Sequence, residues 1–483
     1  MSEYSPDRCQ SITLLTATAS PHGTSERRAP GPAPHGAPSG ATPASTLRIV
    51  PGRRGRPGTP PGSVAGVPLC PVASVNLPDV PDPTTADGPA LRAAVGLEPD
   101  HLSDLLAAAL EGGGPALMPV PAGTPDARVR ELLGAMRPSS VLTPEGESPL
   151  EGGLPASPGT ALVVTTSGST GAPKGVELSA AALLASARAS VARIGARPGD
   201  SWLCVLPAGH ISGLQVMLRA LVTGTGAVHA PFSAEGVLSL AEGLRPHVSL
   251  VPTQLRRLLA AGADLSVFGV ILLGGAAAEP ELLAAARAAG GRVVTTYGMS
   301  ETCGGCVYDG VPLDGVGVAT DAPGPDGSGR VLLSGPTLLT RYRTAPGAEP
   351  VPGPDTAADG TRVLRTNDLG RWDGERLEIL GRMDEVINTG GHKVVPGQVN
   401  ALIMADPSVA ESVVVGRPDP EWGERVCAVV VPADPAAPPA LEHLRAVVRD
   451  RLPAYAAPRE VEVRDRLPML ASGKPDLVAL RRG

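Results

Sequence analysis

Three lysines stand out among the 41 basic residues of this 483-residue chain, because every other basic residue is arginine. They are Lys174, Lys393 and Lys474. A lysine is a compact point charge on a flexible stem, whereas an arginine carries a planar fork. In a sequence that uses arginine so widely, a retained lysine indicates a position where the two cannot be exchanged. The alternative for each lysine is a solvated surface charge.

The first of these lysines lies in the segment Thr165-Thr-Ser-Gly-Ser-Thr-Gly-Ala-Pro-Lys-Gly175, directly after a short apolar run. Hydroxyls, glycines and backbone N–H groups at this density predict a loop that wraps a polyphosphate, with Lys174 as its counter-charge. The segment lacks the Gly-x-x-x-x-Gly-Lys-Ser/Thr spacing of a Walker loop. A flexible linker is the alternative interpretation.

A second segment, Thr296-Tyr-Gly-Met-Ser-Glu-Thr302, follows another apolar run. Tyr297 could offer a flat face to a purine, and Glu301 is the kind of hard oxygen ligand that Mg²⁺ takes beside phosphates. A loop tyrosine and a solvated glutamate are the alternative. The single Cys303-x-x-Cys306 pair that follows is weak support for zinc or a dithiol, so structural cysteines are favoured.

Four further segments carry polar groups toward the carboxyl end of the chain. Asp368, in Thr-Asn-Asp, could accept hydrogen bonds from ribose hydroxyls, and Arg382, in Gly-Arg-Met-Asp-Glu, could donate to the same sugar or to phosphate. Asn388-Thr-Gly-Gly-His-Lys-Val394 comes soon after. Lys474 lies in Ser-Gly-Lys-Pro near the end of the chain. Taken alone, it is interpreted as a solvated surface charge; only together with the other segments does it indicate a functional site.

The elements that must position these residues alternate along the chain. Apolar strand-like runs at Ala161–Thr165, Val267–Leu273 and Arg292–Thr296 alternate with helical stretches at Ser179–Ile194, which opens with a serine cap, and Glu279–Ala289. This alternation predicts an α/β fold built on largely parallel sheets.

Composition and apolar patterning divide the chain into three parts. Residues 1–88 are rich in proline and glycine and predict a flexible extension. Residues 89–381 form the predicted large domain, which is followed by a short strand at Leu377–Arg382. Residues 386–483 are expected to form a compact unit of their own, with strands at Val409–Val415 and Val426–Val431 and a helix at Leu441–Arg451.

Charge and cysteine content limit the function further. The net charge of −7 and the interspersed acids and bases give no footprint for nucleic acid. Apolar runs are too short to span a membrane, and six scattered cysteines are typical of a reducing cytoplasm. We therefore expect a soluble cytoplasmic protein that acts on small molecules. The sequence leaves open whether it forms a homo-oligomer.

Taken in order, these segments resemble the adenylate-forming superfamily of acyl-CoA ligases, peptide adenylation domains and luciferases. The matching pieces are TTSGSTGAPKG, TYGMSET, TND, GRMDEVINTGGHKV and SGKPD. The resemblance implies a large N-terminal domain of layered α/β subdomains and a small, mobile C-terminal α+β domain, residues 386–483, that swings about a hinge at residues 382–385. Residues Leu206–Val216 and Tyr297–Gly315 are also similar to the 2-succinylbenzoate–CoA ligases of menaquinone biosynthesis.

The resemblance implies two half-reactions with ATP, Mg²⁺ and coenzyme A. A carboxylate attacks the α-phosphate of ATP to give an acyl-adenylate and pyrophosphate, and the thiol of coenzyme A then displaces AMP. The implied catalytic residues are Lys474, Lys174, Glu301 as the metal ligand, and Asp384 at the hinge. The implied ATP- and AMP-binding residues are Thr166, Ser167, Gly168, Ser169, Thr170, Gly171, Lys174, Tyr297, Gly298, Ser300, Asp368 and Arg382.

The substrate is expected to be a carboxylic acid such as 2-succinylbenzoate. Peptide adenylation domains carry an aspartate near the position of His210 that binds the amino group of their substrate. This sequence has no aspartate there, which disfavours an amino acid substrate. Arg219 is a candidate partner for a second carboxylate. Another aryl or fatty acid, a carrier-protein-loading adenylation enzyme and a silent nucleotide-binding regulator are the alternatives. The acid is expected at His210, Ser212, Gly275 and Gly304, and coenzyme A at Gly391, His392 and Lys393.

Replacing Lys474 should separate the two half-reactions. Lys474→Ala is expected to abolish adenylate formation, because the lysine would neutralise charge that builds between the carboxylate and the α-phosphate. Thioester formation from preformed adenylate should stay largely intact. Pyrophosphate release and thioester formation measured separately check this, and equal loss in both steps would contradict it.

Overall fold

The computed structural model describes residues 88–167, 173–321, 324, 327–469 and 475–482, all within a compact unit spanning Asn76–Gly483. The predicted extension lies outside the described residues except for Gly88. The described residues form three sheets that build a large N-terminal domain and one sheet that belongs to a small C-terminal domain. No described helix has both the length and the apolar character needed to cross a lipid bilayer.

The strands of the described residues are numbered in chain order. The first thirteen are β1 (Leu91–Val95), β2 (Ala116–Val120), β3 (Ser140–Thr143), β4 (Gly146–Pro149), β5 (Thr160–Ser167), β6 (Pro173–Ser179), β7 (Trp202–Cys204), β8 (Ala227–His229), β9 (His247–Leu250), β10 (Ile271–Leu273), β11 (Val293–Met299), β12 (Gly304–Tyr308) and β13 (Val311–Pro312). The others are β14 (Gly317–Asp321), β15 (Ser328–Ser334), β16 (Arg341–Arg343), β17 (Asp355–Thr356), β18 (Arg362–Trp372), β19 (Leu377–Arg382), β20 (Ile387–Thr389), β21 (His392–Val394), β22 (Val409–Asp419), β23 (Gly423–Pro432) and β24 (Glu460–Val463).

The helices of the described residues are numbered in the same way. They are α1 (Pro99–Leu110), α2 (Asp126–Met136), α3 (Ala180–Ile194), α4 (Ile211–Val222), α5 (Ala234–Ala241), α6 (Pro252–Ala260), α7 (Pro280–Ala288), α8 (Pro396–Met404), α9 (Leu441–Arg449) and α10 (Leu477–Arg482). The predicted serine cap is present, since Ser179 accepts a hydrogen bond from the backbone N–H of Ala182 at the start of α3.

Two seven-stranded sheets form the frame of the large domain. The strand order is β16-β6-β5-β2-β1-β3-β4 in the first sheet and β13-β12-β11-β10-β9-β7-β8 in the second. Both have a parallel centre; the first sheet has antiparallel strands at both edges, whereas the second has them only at the β12–β13 edge, since β8 pairs in parallel with β7. The buried helices α3 and α4 pack on each other and on β12, and α3 also packs on β6 of the first sheet. They therefore join the two sheets into one core.

The third and fourth sheets are mostly antiparallel. The third has the order β14-β15-β18-β17, with β19 paired to β18, and it leads directly into the small domain. The fourth has the order β21-β20-β23-β22, with β24 paired in parallel to β23. Helices α8 and α9 pack on each other, and residues of both join the core beside this sheet. The predicted α/β architecture with a small α+β domain agrees with this arrangement. The expectation of largely parallel sheets was wrong, because parallel pairing dominates only the inner part of the first two sheets and the described strands of the third are all antiparallel.

Some predicted boundaries were wrong. The strand expected over Val267–Leu273 begins only at Ile271, because Leu265–Val267 forms a short 3₁₀ turn. The strand expected to end at Thr296 continues to Met299, because β12 pairs with it antiparallel from Thr296 onward. The segment Thr165–Gly175, expected to be a loop, is mostly the two arms of a β5–β6 hairpin. Its tip, residues 168–172, lies outside the described residues.

A buried ion-pair cluster fixes the β16 edge of the first sheet. Glu177 on β6 has a fully buried side chain and pairs with Arg341 at 3.0 Å and Arg343 at 3.1 Å on β16. Arg343 also donates to the backbone carbonyls of Met136 and Pro155. Burial opposes ionisation of Glu177, but hydrogen bonds from Arg341 and from its other neighbours lower its pKa below the usual value. The cluster is therefore a charged network inside the domain.

Removing the Glu177 carboxylate should destabilise the large domain strongly. Glu177→Ala is expected to lower the free energy of unfolding by about 3–5 kcal/mol, because it leaves the buried Arg343 without its counter-ion. The matched change Glu147→Ala removes a partly exposed pair with Arg92 and should cost less than about 1 kcal/mol. Urea unfolding followed by circular dichroism measures both, and similar losses in the two variants would contradict the role of the cluster.

Candidate active site

The β5–β6 hairpin presents the expected phosphate-binding residues at one end of the first sheet. Thr166 on β5 lies directly opposite Lys174 on β6. The hydroxyl oxygen of Thr166 is buried and has no hydrogen-bond partner among the residues that the structure describes. Ser167 ends β5, whereas Gly168, Ser169, Thr170 and Gly171 lie outside the described residues. A buried donor without a partner is costly, so a ligand oxygen fits beside Thr166.

Lys174 and Glu301, far apart in the chain, form an ion pair. The Nζ atom of Lys174 lies 3.2 Å from Oε1 of Glu301, and both side chains are mostly buried. Tyr342, which the sequence reasoning missed, donates its hydroxyl to the same Oε1 at 3.0 Å. Its ring lies under the ammonium of Lys174, with 4.2 Å from Nζ to the ring centroid. Burial, together with the nearby Glu301 charge, raises the pKa of Tyr342 and keeps the phenol protonated.

Glu301 is held by a tight turn at the junction of β11 and β12. It lies in the 3₁₀ turn Ser300–Thr302, and its carbonyl accepts a hydrogen bond from the N–H of Leu339 at 2.8 Å. Gly298 is required just before this turn, because a Cβ atom there would lie 2.0 Å from the carbonyl oxygen of Gly304. The partly buried Ser300 therefore sits on the same fixed backbone as Glu301.

Tyr297, Asp368 and Arg382, predicted to hold the adenosine, come together across three strands. The Tyr297 hydroxyl donates to Asp368 at 2.6 Å, and Arg382 lies 3.4 Å from the other carboxylate oxygen. Burial, and next the Asp368 charge, raise the pKa of Tyr297. Arg382 also donates two hydrogen bonds to Asp384, at 2.9 and 2.8 Å, and lies 3.6 Å from Glu385. The predicted ribose site and the predicted hinge thus share one guanidinium.

Candidate residues for the acid surround the start of α4. His210 immediately precedes the helix, Ser212 is exposed in its first turn, and Gly304 on β12 lies so close to Gln215 that an added Cβ atom would be 3.0 Å from its Cγ. Gln215, another residue missed from the sequence, donates to the carbonyl of Cys303 and keeps its own carbonyl oxygen unpaired within the described part of the chain. Gly275 follows β10 and is exposed, with φ +84°.

One turn beyond Gln215, Arg219 is a buried cation without an acidic partner. Its side chain is almost fully buried and donates to the Ser249 hydroxyl at 2.9 Å. The guanidinium also lies 5.3 Å from the centre of the Trp202 ring. Its Nε atom has no hydrogen-bond partner, and no carboxylate pairs with it within the described ranges. Burial lowers the pKa of Arg219, as expected for a charge without its counter-ion.

The residues predicted to meet coenzyme A form the β20–β21 hairpin of the small domain. Gly391, His392 and Lys393 are all exposed. The His392 ring stacks on Tyr455, with 4.2 Å between the ring centres. The hairpin turn needs glycine at position 390, because a Cβ atom there would lie 2.5 Å from the Trp422 ring. The stacking and packing partners both belong to the small domain.

Two family models match the chain. One is described as AMP-binding enzyme, over residues 135–332, and the other as AMP-binding enzyme C-terminal domain, over residues 398–474. A probable 2-succinylbenzoate–CoA ligase of Mycobacterium tuberculosis is 42% identical over 385 residues, which is 75% of this chain and 97% of the relative. The chain belongs to the family of adenylate-forming, AMP-binding enzymes. The family predicted from the ordered motifs is therefore confirmed.

Solved structures of adenylate-forming enzymes share the fold. The o-succinylbenzoate CoA synthetase of Bacillus subtilis, in complex with the acyl-adenylate intermediate OSB-AMP, has a TM-score of 0.69 at 26% identity, covering 82% of this chain and 89% of that one. The same enzyme with ATP and magnesium ion has a TM-score of 0.68 at 25% identity, covering 83% and 90%. The predicted fold class of this adenylate-forming chain is confirmed as well.

Cys303 and Cys306 should be chemically inert in the folded adenylate-forming enzyme. Both thiols are fully buried, and burial raises the pKa of Cys306 to about 12. At pH 8 only on the order of one in ten thousand such thiols is ionised, and the thiolate is the reactive form. Peptide mapping after iodoacetamide treatment should find both unlabelled in the native protein and labelled in urea. Rapid native labelling would instead favour a working dithiol.

Proposed function

We propose that this chain is an ATP-dependent ligase that converts 2-succinylbenzoate and coenzyme A to 2-succinylbenzoyl-CoA. In the first step a carboxylate oxygen bonds to the α-phosphorus of ATP and pyrophosphate leaves. In the second step the coenzyme A sulfur bonds to the acyl carbon and AMP leaves. The relative and the solved enzyme with OSB-AMP support this reaction by their names. The observation that carries the choice of a diacid is the buried Arg219 without a counter-ion.

The nucleotide would lie between the two clusters of the large domain. Thr166 and Lys174 supply a hydroxyl and a positive charge for the phosphates. Asp368, already accepting from Tyr297, can accept from ribose hydroxyls as well, and Arg382 beside it adds a donor. The residues thus separate the charged end of ATP from its nucleoside end.

Glu301 fits the role of a Mg²⁺ ligand. It is a carboxylate on a rigid turn, and both of its side-chain contacts in the described part of the chain end on Oε1. The other oxygen is therefore available to a hard cation. When bound, the ion would neutralise charge on the phosphates of ATP. The solved relative that holds ATP and magnesium supports this choice.

The small domain would serve the second step. Gly391, His392 and Lys393 form an exposed hairpin suited to a large ligand, and residues 382–385 join this domain to the third sheet. We assign Asp384 to the hinge, where it now binds Arg382. Lys474, assigned to the first step, lies outside the described residues. The cytoplasmic location is still a prediction, and so is the formation of a homo-oligomer.

Arg219 supports a substrate with two carboxylates. A buried guanidinium without an acidic partner is unfavourable in the free protein, so an anionic ligand gains a strong partner there. It lies on α4, the helix that His210 precedes and that also carries Gln215, whose side chain lies next to Gly304. One carboxylate of 2-succinylbenzoate would react at the α-phosphate while the other pairs with Arg219. A fatty acid would leave this charge unmatched.

Arg219→Met should remove the preference for the diacid. For this variant kcat/KM with 2-succinylbenzoate should fall about 100-fold, because a buried charge pair is lost. Activity with an analogue that lacks the carboxylate bound by Arg219 should change little. A pyrophosphate-release assay with 2-succinylbenzoate, 4-oxo-4-phenylbutanoate and 2-butanoylbenzoate tests both claims and shows which carboxylate reacts.

The control is Arg256→Met, which removes a partly exposed arginine already paired with Glu279. It should leave the ratio of rates across the three acids unchanged. Turnover of benzoate or long-chain acids by the unaltered protein, without turnover of 2-succinylbenzoate, would overturn the proposed substrate and favour another acyl-CoA ligase.

A further inference from the structure

Tyr342 occupies a position from which it touches both charged groups of the phosphate end of the site. It lies between Arg341 and Arg343 on the short strand β16, which pairs antiparallel with β6. Alternate residues of a strand point to opposite faces of the sheet. The two arginines therefore share one face with Glu177, whereas Tyr342 shares the other with Val176 and, diagonally, Lys174.

The buried cluster on the first face fixes Tyr342 on the second. Glu177 pairs with both flanking arginines, and Arg343 is further held by backbone carbonyls of the α2 C-terminus and the loop after β4. A strand of three residues anchored on either side of Tyr342 has little freedom to move its ring. The phenol is therefore a rigid partner for the flexible Lys174.

The ion pair between Lys174 and Glu301 competes with the ligand contacts that are proposed for these two residues. Lys174 would bind phosphate and Glu301 would bind Mg²⁺, yet the two now neutralise each other at 3.2 Å. Parting them exposes two partly buried charges, which is costly unless each keeps a partner. Tyr342 gives each of these two charged groups a partner without carrying a charge itself. Its hydroxyl donates to Glu301, and its ring face attracts the ammonium of Lys174.

We propose that Tyr342 is a positioning residue for Mg·ATP binding, which holds Glu301 and Lys174 in place when their ion pair parts. This inference rests on the proposed function, because it takes the phosphate and metal roles of the two residues from it. Tyr342 touches neither the adenosine cluster nor the residues around α4 in the contacts described above. Its effect should therefore be confined to nucleotides that carry β- and γ-phosphates with Mg²⁺.

Two variants separate the two contacts. Tyr342→Phe removes the hydroxyl and keeps the ring, and Tyr342→Leu removes both. Calorimetric titration without the acid substrate, so that no turnover occurs, measures the affinity for Mg·ATP and for AMP. Tyr342→Phe should weaken Mg·ATP binding about tenfold, as for loss of a hydrogen bond to a charged group, and Tyr342→Leu should weaken it further. Affinity for AMP should stay within twofold of the unaltered protein in both variants.

Tyr308→Phe is the matched control, because it removes another buried hydroxyl of the same domain, one bonded to Ser190 at 2.7 Å. It should leave the ratio of Mg·ATP to AMP affinity unchanged. An unchanged ratio in Tyr342→Phe, or equal losses for both nucleotides, would overturn the inference. Failure to activate 2-succinylbenzoate would overturn the proposed substrate, whereas the affinity ratios of the variants would still decide the role of Tyr342.

Discussion

The carboxylate of Glu177 is the constraint on which the rest of the site depends. It is buried completely, and two arginines on the neighbouring strand neutralise it from one side of the first sheet. A charge buried in this way must keep its partners, so the register between β6 and β16 cannot slip. The same register places Lys174 and Tyr342 together on the opposite side. A structural ion pair on one face thus fixes the chemistry on the other.

The second fixed point is the junction of β11 and β12. The glycine contact between Gly298 and Gly304 brings two strands so close that only hydrogen can lie between them. The chain then turns through Glu301 and returns toward α4, where the side chain of Gln215 donates a hydrogen bond to the carbonyl of Cys303. One backbone path therefore carries Tyr297, Glu301 and Gly304, the residues proposed for the adenosine contact, the metal ligand and the edge of the acid site. These groups keep their spacing because they share a single rigid segment.

Much of the fold and part of the site could be predicted from the sequence. Apolar periodicity located most strands and helices, and ordered motifs located Lys174, Tyr297, Glu301, Asp368 and Arg382, which the structure gathers into two clusters. Strand ends were missed where polar residues continue a strand, as at Thr166, because hydroxyl-rich sequence is typical of loops.

Tyr342 and Gln215 could not be predicted, because their importance comes from long-range pairing. The alternation Arg-Tyr-Arg in a chain with ten aromatic residues was the available signal for Tyr342. For Gln215 the signal was a polar residue flanked on both sides by apolar residues of α4. Neither signal names a partner 41 or 88 positions away, and only the fold supplies that partner.

Arg382 has a consequence of its own for the way the two domains communicate. Its guanidinium now divides its donors between Asp368 in the nucleoside cluster and Asp384 at the start of the small domain. In the proposed function, donors given to a ribose or phosphate are withdrawn from one of these carboxylates, so nucleotide occupancy and the conformation of the proposed hinge would be thermodynamically linked. Such linkage is reciprocal: whatever factor a bound nucleotide applies to the hinge equilibrium, the hinge conformation applies to nucleotide affinity. One side chain would then couple the proposed rotation of the small domain to ligand exchange.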